Sequence, residues 1–234
     1  MKKYILLLSC ILLGLFSLLS KYEDRASLRS LDFAVTTKVQ SKIDTSSHLR
    51  FTDFIGNLMT GATFFASPEF IVVVTLIMTG LLLYDRKKKR WNGKAIIVPL
   101  MLTTIVIIEI FGKSIVHHPS PPFSMIKNPT TVFAKDYINE QFSYPSGHAA
   151  RAVFVSMILY TALVKLYMVN AKKRLHVVTI MGLLLYVSLV AISRIYLGHH
   201  WFSDVFAGIL IGASCGLVVM FFLHDFDHTH SLRD

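Results

Sequence analysis

The chain has 234 residues, of which 53% are hydrophobic and 16% charged, with a formal net charge of +10. That apolar excess excludes a disordered chain or an ordinary water-soluble domain and indicates a membrane protein. The positive charge does not imply nucleic acid, because much of it lies in two short loops between apolar runs, where it sets orientation across a membrane.

At about 20 residues per crossing, six apolar segments are long enough to span, near residues 4–20, 61–84, 95–112, 148–169, 177–197 and 202–223. The first follows Met1-Lys2-Lys3 and runs straight into Lys21-Tyr22-Glu23-Asp24-Arg25 with no small-x-small cleavage site, so it reads as an uncleaved anchor. Leu7-Leu8-Ser9-Cys10 has the order of a lipoprotein box but too little apolar sequence before it. Cys10 and Cys215 both lie inside apolar runs and read as core or lipid-facing residues, not a disulfide.

In the stretch 21–60, Leu28, Leu31, Val35 and Val39 recur at helical spacing, as do Phe51, Phe54, Ile55 and Leu58. This predicts short interfacial helices, which either shape a lipid entrance or pack on the bundle ends. Asp85-Arg86-Lys87-Lys88-Lys89-Arg90 separates segments 2 and 3, and Lys172-Lys173-Arg174 separates segments 4 and 5. Both clusters are expected on the cytoplasmic side with the two termini. Loops 21–60, 113–147 and 198–201 then face outward. The expected fold is all-α, a single domain over residues 1–234 built as a six-helix transmembrane bundle.

Three groups of polar residues end these apolar runs on one side. In Tyr144-Pro145-Ser146-Gly147-His148, Pro and Gly break the loop and Ser146 is the expected N-cap of segment 4. The free N–H groups of such a first turn form a ready anion site. In Ser193-Arg194-Ile195-Tyr196-Leu197-Gly198-His199-His200-Trp201-Phe202-Ser203-Asp204, His200 and Asp204 are four apart and share a helix face. A carboxylate beside an imidazole sets its tautomer, and Arg194 offers a planar donor fork suited to phosphate. Lys113 ends segment 3 ahead of His117-His118-Pro119-Ser120-Pro121. Alone it would read as a snorkelling lysine. Ionisable residues at membrane depth are expensive and usually functional, so the three groups together describe a site that holds a phosphate and cuts it.

These residues carry a resemblance to the type 2 phosphatidic acid phosphatase superfamily, the membrane lipid phosphate phosphatases. That family's pattern is K-x₆-R-P, then P-S-G-H, then S-R-x₅-H-x₃-D. The second block is complete at Pro145 to His148 and the third at Ser193, Arg194, His200 and Asp204. The first keeps Lys113 and Pro121 but has Ser120 where the family has arginine. The resemblance implies that His200 is the nucleophile, Asp204 orients it, and His148 is the general acid. It further implies that Lys113, Arg194, Ser146 and the Gly147 amide cradle the phosphate, with no metal and no other cofactor. Compensation for the missing arginine is expected from Arg151 or His118. Arg151 lies three residues after His148 on the same helix face, or else snorkels to the interface; His118 carries full charge only below about 6.5.

His117 and His199 neighbour the site as extra donors or as solvated loop residues, and Glu109 is placed to pair with Lys113. The tail His224-Asp225-Phe226-Asp227-His228-Thr229-His230 is metal-like in composition but lies opposite the site and reads as solvated. The expected activity is hydrolysis of a phosphomonoester or pyrophosphate of a lipid, of polyprenyl pyrophosphate, phosphatidylglycerophosphate or phosphatidate type, on the extracytoplasmic face of a bacterial cytoplasmic membrane. The alternatives are a lipid phosphotransferase and a catalytically impaired lipid-phosphate binding or transport protein. The expected partners are the phosphorylated lipid and membrane lipids, not nucleic acid.

Overall fold

The computed structural model describes residues 2–45, 49–85, 90–127, 141–168 and 171–223. Among these, eight α-helices carry the fold: α1 (Lys2–Tyr22), α2 (Ala26–Asp44), α3 (Leu49–Phe64), α4 (Pro68–Leu83), α5 (Ile97–Val116), α6 (Gly147–Leu163), α7 (Lys173–Tyr196) and α8 (Phe202–Leu223). A two-residue antiparallel pairing, Tyr84–Asp85 with Arg90–Trp91, closes the α4–α5 connection. A 3-10 turn, Gly93–Ile96, leads into α5, and a π-helical turn, Val164–Met168, ends α6.

By length and composition five helical segments among the described residues can cross a membrane: Lys3–Tyr22, Gly93–Val116, Gly147–Met168, Lys173–Tyr196 and Phe202–Leu223. A sixth crossing exists only if α3 and α4, bent by 51° at a short break, are counted together. The expected segment 61–84 is therefore corrected. Its first four residues belong to α3, and α4 starts at Pro68 behind Ser67, whose side chain accepts from the Phe70 N–H at 3.4 Å. Proline at the first helical position and a serine N-cap are a strong start signal, and they win over an apolar run that continues through the break. The freed carbonyls there are taken up by neighbours, as the bilayer requires. Tyr186 Oη donates to the Phe65 carbonyl at 2.8 Å and Arg151 Nε to the Ala66 carbonyl at 3.3 Å.

Helices α6 and α8 are the centre of the bundle. Of the apolar window of each, 56% is buried, against 6% for α1 and for α7. The outer helices turn large side chains such as Leu7, Ile11, Leu76, Ile110 and Leu185 outward, as lipid contact demands. Close approach of α6 to α8 runs through small residues. A Cβ on Gly208 would fall 2.3 Å from the Ser146 carbonyl oxygen, and one on Gly212 2.2 Å from that of Ala150. Without a hydrophobic force between helices in lipid, such backbone proximity is what holds a pair together. A serine pair adds to it on the other side of α8, where Ser9 Oγ and Ser214 Oγ lie 2.8 Å apart.

Residues 21–60 are helical over α2 and most of α3, as the spacing predicts. However, the α2 side chains that bury are Asp32 and Thr36, while Leu31 is exposed. Helix α3 packs along α7, with Met59 against Tyr196 and Leu197. The ends of α1, α5 and α7 meet the starts of α6 and α8 at one end of the bundle. The strand pair of the α4–α5 connection and the start of α7 lie at the other end; Arg86 to Lys89 fall outside the described residues, as does the tail from residue 224.

Gly208→Ala should push α8 from the Ser146 turn, since the obstacle is backbone and cannot swing away. Overpacking of this kind costs about 1–3 kcal/mol. The expected outcome is a lower melting temperature of the detergent-purified protein, whereas Gly182→Ala, with nothing within 4 Å, should leave it unchanged.

Candidate active site

Five chain segments place the site. Lys113 stands in the last turn of α5, which stops at His117 in the left-handed region with φ 53°. Ser146 sits at the N-cap position of α6, but its hydroxyl makes no capping hydrogen bond, contrary to expectation. Its backbone N–H instead donates to the Asp204 carbonyl at 3.0 Å, which ties the start of α6 to α8. Arg194 lies in the last turn of α7, and its carbonyl accepts from the His199 and His200 amides at 3.1 and 3.2 Å. This folds the α7–α8 connection back over the helix end.

Asp204 is fully buried and lies in the first turn of α8. Its Oδ2 accepts from the Trp201 N–H at 2.9 Å, the N3-to-N-cap half of a capping box. The same oxygen is 3.4 Å from His200 Nδ1. His200 thus precedes α8 and does not start it, yet the four-residue spacing still brings imidazole and carboxylate together. With Nδ1 turned to Asp204, Nε2 is the outward nitrogen. Burial pushes the His200 pKa below its ordinary value. Asp204 pulls the other way, and the Arg194 and Lys113 charges add to the depression. Neutral imidazole, the nucleophilic form, is therefore favoured at neutral pH.

His148, in the first turn of α6 and buried, lies within electrostatic reach of Arg194, Arg151, His200 and His199. Lys113 and Arg194 both act on His200. The structure thus assembles Lys113, Ser146, Gly147, His148, Arg194, His200 and Asp204 around one end of the bundle. Among the described residues, no three His, Cys, Asp or Glu side chains group as metal ligands.

Two of the expected accessory residues have carboxylate partners. Arg151 commits two of its three nitrogens to structure and leaves Nη2 buried without a hydrogen-bond partner. Its Nη1 binds Glu109 Oε2 at 2.5 Å while Nε holds the Ala66 carbonyl in the α3–α4 break. A buried guanidinium must find a carboxylate, and Glu109 on α5 supplies it while also facing Lys113 Nζ at 3.8 Å. The Glu109 carboxylate lies where a side chain at Gly147 would begin: a Cβ there would be 2.0 Å from it. His118 is likewise taken, with Nδ1 2.8 Å from Asp204 Oδ1 and Nε2 2.7 Å from Glu23 Oε1. Burial alone would lower its pKa, but the two carboxylates outweigh that and raise it to about 9, well above the free value. Ser120, half-buried, is held by its N–H to the Gln141 carbonyl at 3.3 Å.

Sequence reasoning missed Glu23 and Asp32. Asp32 on α2 accepts from the Ser203 N–H at 2.8 Å and from its hydroxyl at 2.7 Å, so α8 has a second carboxylate at its positive end. Burial pushes the Asp32 carboxyl above its usual range, against those two hydrogen bonds. The one available signal was a polar residue on the helical stripe between Leu28 and Val35. For Glu23 there was none, since its partner lies far along the chain.

Residues 93–227, which include every motif residue from Lys113 to Asp204, match the family model described as the PAP2 superfamily. Phosphatidylglycerophosphatase B of Bacillus subtilis (strain 168) is 28% identical over 175 residues, 74% of this chain and 76% of that protein. The first transmembrane PAP2 type phosphatidylglycerolphosphate phosphatase from Bacillus subtilis shares the fold with a TM-score of 0.73 at 20% identity, covering 94% of this chain and 98% of that one. Aquifex aeolicus LpxE does so with a TM-score of 0.52 at 21% identity, over 79% of this chain and 93% of its own.

Arg151→Ala should strand Glu109 beside apolar helices and open the break carbonyl. Removing one member of a buried pair costs about 3–5 kcal/mol. The expected result is a large fall in melting temperature that Ser120→Arg does not repair, because position 120 lies outside this contact.

Proposed function

The chain belongs to the PAP2 superfamily, whose model spans residues 93–227, and on that premise we propose that it is a membrane lipid phosphate phosphatase acting through a phosphohistidine on His200. The observation that carries the reading is the His200–Asp204 contact at 3.4 Å through Nδ1, which leaves the Nε2 lone pair outward among cationic groups. In the first step Nε2 attacks phosphorus and the bond from phosphorus to the lipid oxygen breaks. His148 gives its proton to the leaving oxygen. In the second step water attacks the phosphohistidine, His148 takes the proton, and inorganic phosphate leaves. Lys113, Arg194 and the first-turn N–H groups of α6 stabilise the charge on the transferring oxygens. Those cations serve where other phosphatases use a metal, so the enzyme works without one. The first-block family arginine is absent at Ser120, in the loop after α5, and Lys113 with Arg194 carries the phosphate alone.

The relative's name makes phosphatidylglycerophosphate the first substrate to test, with phosphatidate and polyprenyl pyrophosphate beside it. The whole chain acts as one domain in a bacterial cytoplasmic membrane. The site end faces outward, since the basic segments 86–90 and 172–174 flank the opposite helix ends and positive loops stay inside.

Phosphate release by purified protein tests the activity. Phosphatidylglycerophosphate should be turned over, EDTA should change nothing, and His200→Ala should lower kcat at least about a thousand-fold, as loss of a nucleophile does. Asp204→Asn should keep a small residual turnover. Wild-type turnover by His200→Ala would refute the histidine mechanism, and EDTA inactivation reversed by a divalent ion would refute metal independence.

Ser124→Cys, at an exposed position in the 113–147 loop, tests the orientation separately. An impermeant maleimide should label it in intact cells. Labelling only after lysis would place the site on the cytoplasmic side.

A further inference from the structure

The mechanism above leaves unused a buried ionic bridge that touches its central carboxylate. Asp204 presents Oδ2 to His200 and the Trp201 N–H, and Oδ1 to His118 Nδ1 at 2.8 Å. The other nitrogen of His118 meets Glu23 Oε1 at 2.7 Å. All three side chains are buried, with Glu23 at 1%, His118 at 3% and Asp204 at 0% exposure. Glu23 directly follows α1, so the bridge spans from the first helix to the last.

We propose that Glu23, His118 and Asp204 form a carboxylate–imidazolium–carboxylate bridge that fixes the Asp204 carboxylate for His200, making Glu23 and His118 positioning residues for phosphoryl transfer. This rests on the reading of His200 as the nucleophile.

Both ring nitrogens of His118 lie within ion-pair distance of a carboxylate oxygen, Nδ1 hydrogen-bonded to Asp204 and Nε2 beside Glu23, and two negative charges around one buried ring favour the imidazolium. A pKa near 9 agrees with that state at neutral pH. The ring is held against rotation. The His118 backbone carbonyl accepts from the Ser143 N–H at 3.0 Å, which fixes the loop; beside the ring Tyr144 lies edge-on with centroids 6.5 Å apart, and Trp201 is tilted at 6.4 Å. Trp201 is itself fixed by Nε1 donating to the Pro119 carbonyl at 2.8 Å. Tyr144 Oη meets Ser20 Oγ at 2.9 Å, and its ring stacks on Phe16 of α1. The end of α1 is thus bound to the loop that carries His118 and to the turn that carries Ser146.

A buried ionic triad is a poor means to stability, because desolvation consumes most of the attraction. Positioning is a better account. With Oδ1 held by a fixed cation, the carboxylate plane cannot rotate, and Oδ2 stays aimed at Nδ1 of the nucleophile. Two carboxylates beside one imidazolium leave local negative charge, with Asp32 adding to it at the α8 start. Arg194 and Lys113 balance this on the His200 side.

The test uses the full-length protein in detergent, short-chain phosphatidylglycerophosphate as the probe, and phosphate release as the readout. Glu23→Gln and His118→Gln should each lower kcat about ten-fold, the scale of coupling within one hydrogen-bonded network, with KM within about two-fold. Glu23→Asp should restore part of the loss, and the double variant should be no worse than either single one. On an Asp204→Asn background, neither substitution should lower the residual kcat further, because both act through that carboxylate. Melting temperatures are measured for every variant; if Glu23→Gln does not fold, His118→Gln carries the same comparison. Wild-type kcat in the folded variants overturns the bridge, as does an equal loss on the Asp204→Asn background, which would mark a structural role. Activity retained by His200→Ala, or no phosphate release by the wild type, overturns the nucleophile reading itself and the bridge with it.

Discussion

A single carboxylate in a dry place sets the terms for the site end of this bundle. Asp204 is fully buried in the first turn of α8, where an unpaired charge would cost several kcal/mol. Both of its oxygens are therefore engaged: Oδ1 by His118 and Oδ2 by the Trp201 N–H, with His200 Nδ1 3.4 Å from Oδ2. Each of those groups brings a segment with it. Trp201 fixes the α7–α8 turn, His118 the loop after α5, and Glu23 behind His118 the end of α1. Through its carbonyl, Asp204 also receives the Ser146 N–H, so the start of α6 joins the same point. One residue thus aligns most of the helix ends that supply the proposed chemistry.

The lipid phase explains the rest of the packing. Apolar side chains gain little by leaving hydrocarbon for a protein interior, so close backbone approach and hydrogen bonds must hold the helices together. Gly208 and Gly212 let α8 touch the α6 carbonyls, and the Ser9–Ser214 pair fastens α1 on the other side. The same rule governs the α3–α4 break. Its carbonyls cannot face lipid, and Arg151 and Tyr186 satisfy them. Arg151 then needs a counter-charge at depth, which Glu109 provides. Two of the three guanidinium nitrogens of Arg151 thereby serve the structure.

Within the family the chain departs from the common pattern at Ser120. The two cationic residues expected to compensate for it, Arg151 and His118, both have carboxylate partners, and Ser120 is tied into the loop through the Gln141 carbonyl. In the proposed mechanism the phosphate is met by Lys113, Arg194 and the amides of the α6 first turn, a smaller set of donors. On that mechanism the expected consequence of the loss is weaker binding of the phosphate, not a different reaction.

Much of this was legible along the chain because lipid imposes a strong local code. Long apolar runs announce helices, and the four-residue spacing of His200 and Asp204 announces a shared face whatever the exact helix start. Pro145-Ser146-Gly147 announces a helix beginning, although the hydroxyl of Ser146 takes no part in capping. What periodicity could not reach were contacts between residues distant in sequence. The break at Ala66 was hidden inside a continuous apolar run and depends on Arg151 to be tolerated. Glu23 and the engagement of His118 have no local signature, and Asp32 only a polar place on an apolar stripe, because their partners lie between 86 and 171 positions away. The sequence by itself determined the membrane class, the helical segments and which polar groups end them on one side, since these follow from local hydropathy and short spacing. Only the tertiary structure decided which charges face the site and which neutralise each other, because in a low-dielectric interior that choice belongs to whichever opposite charge the packing brings within hydrogen-bond reach.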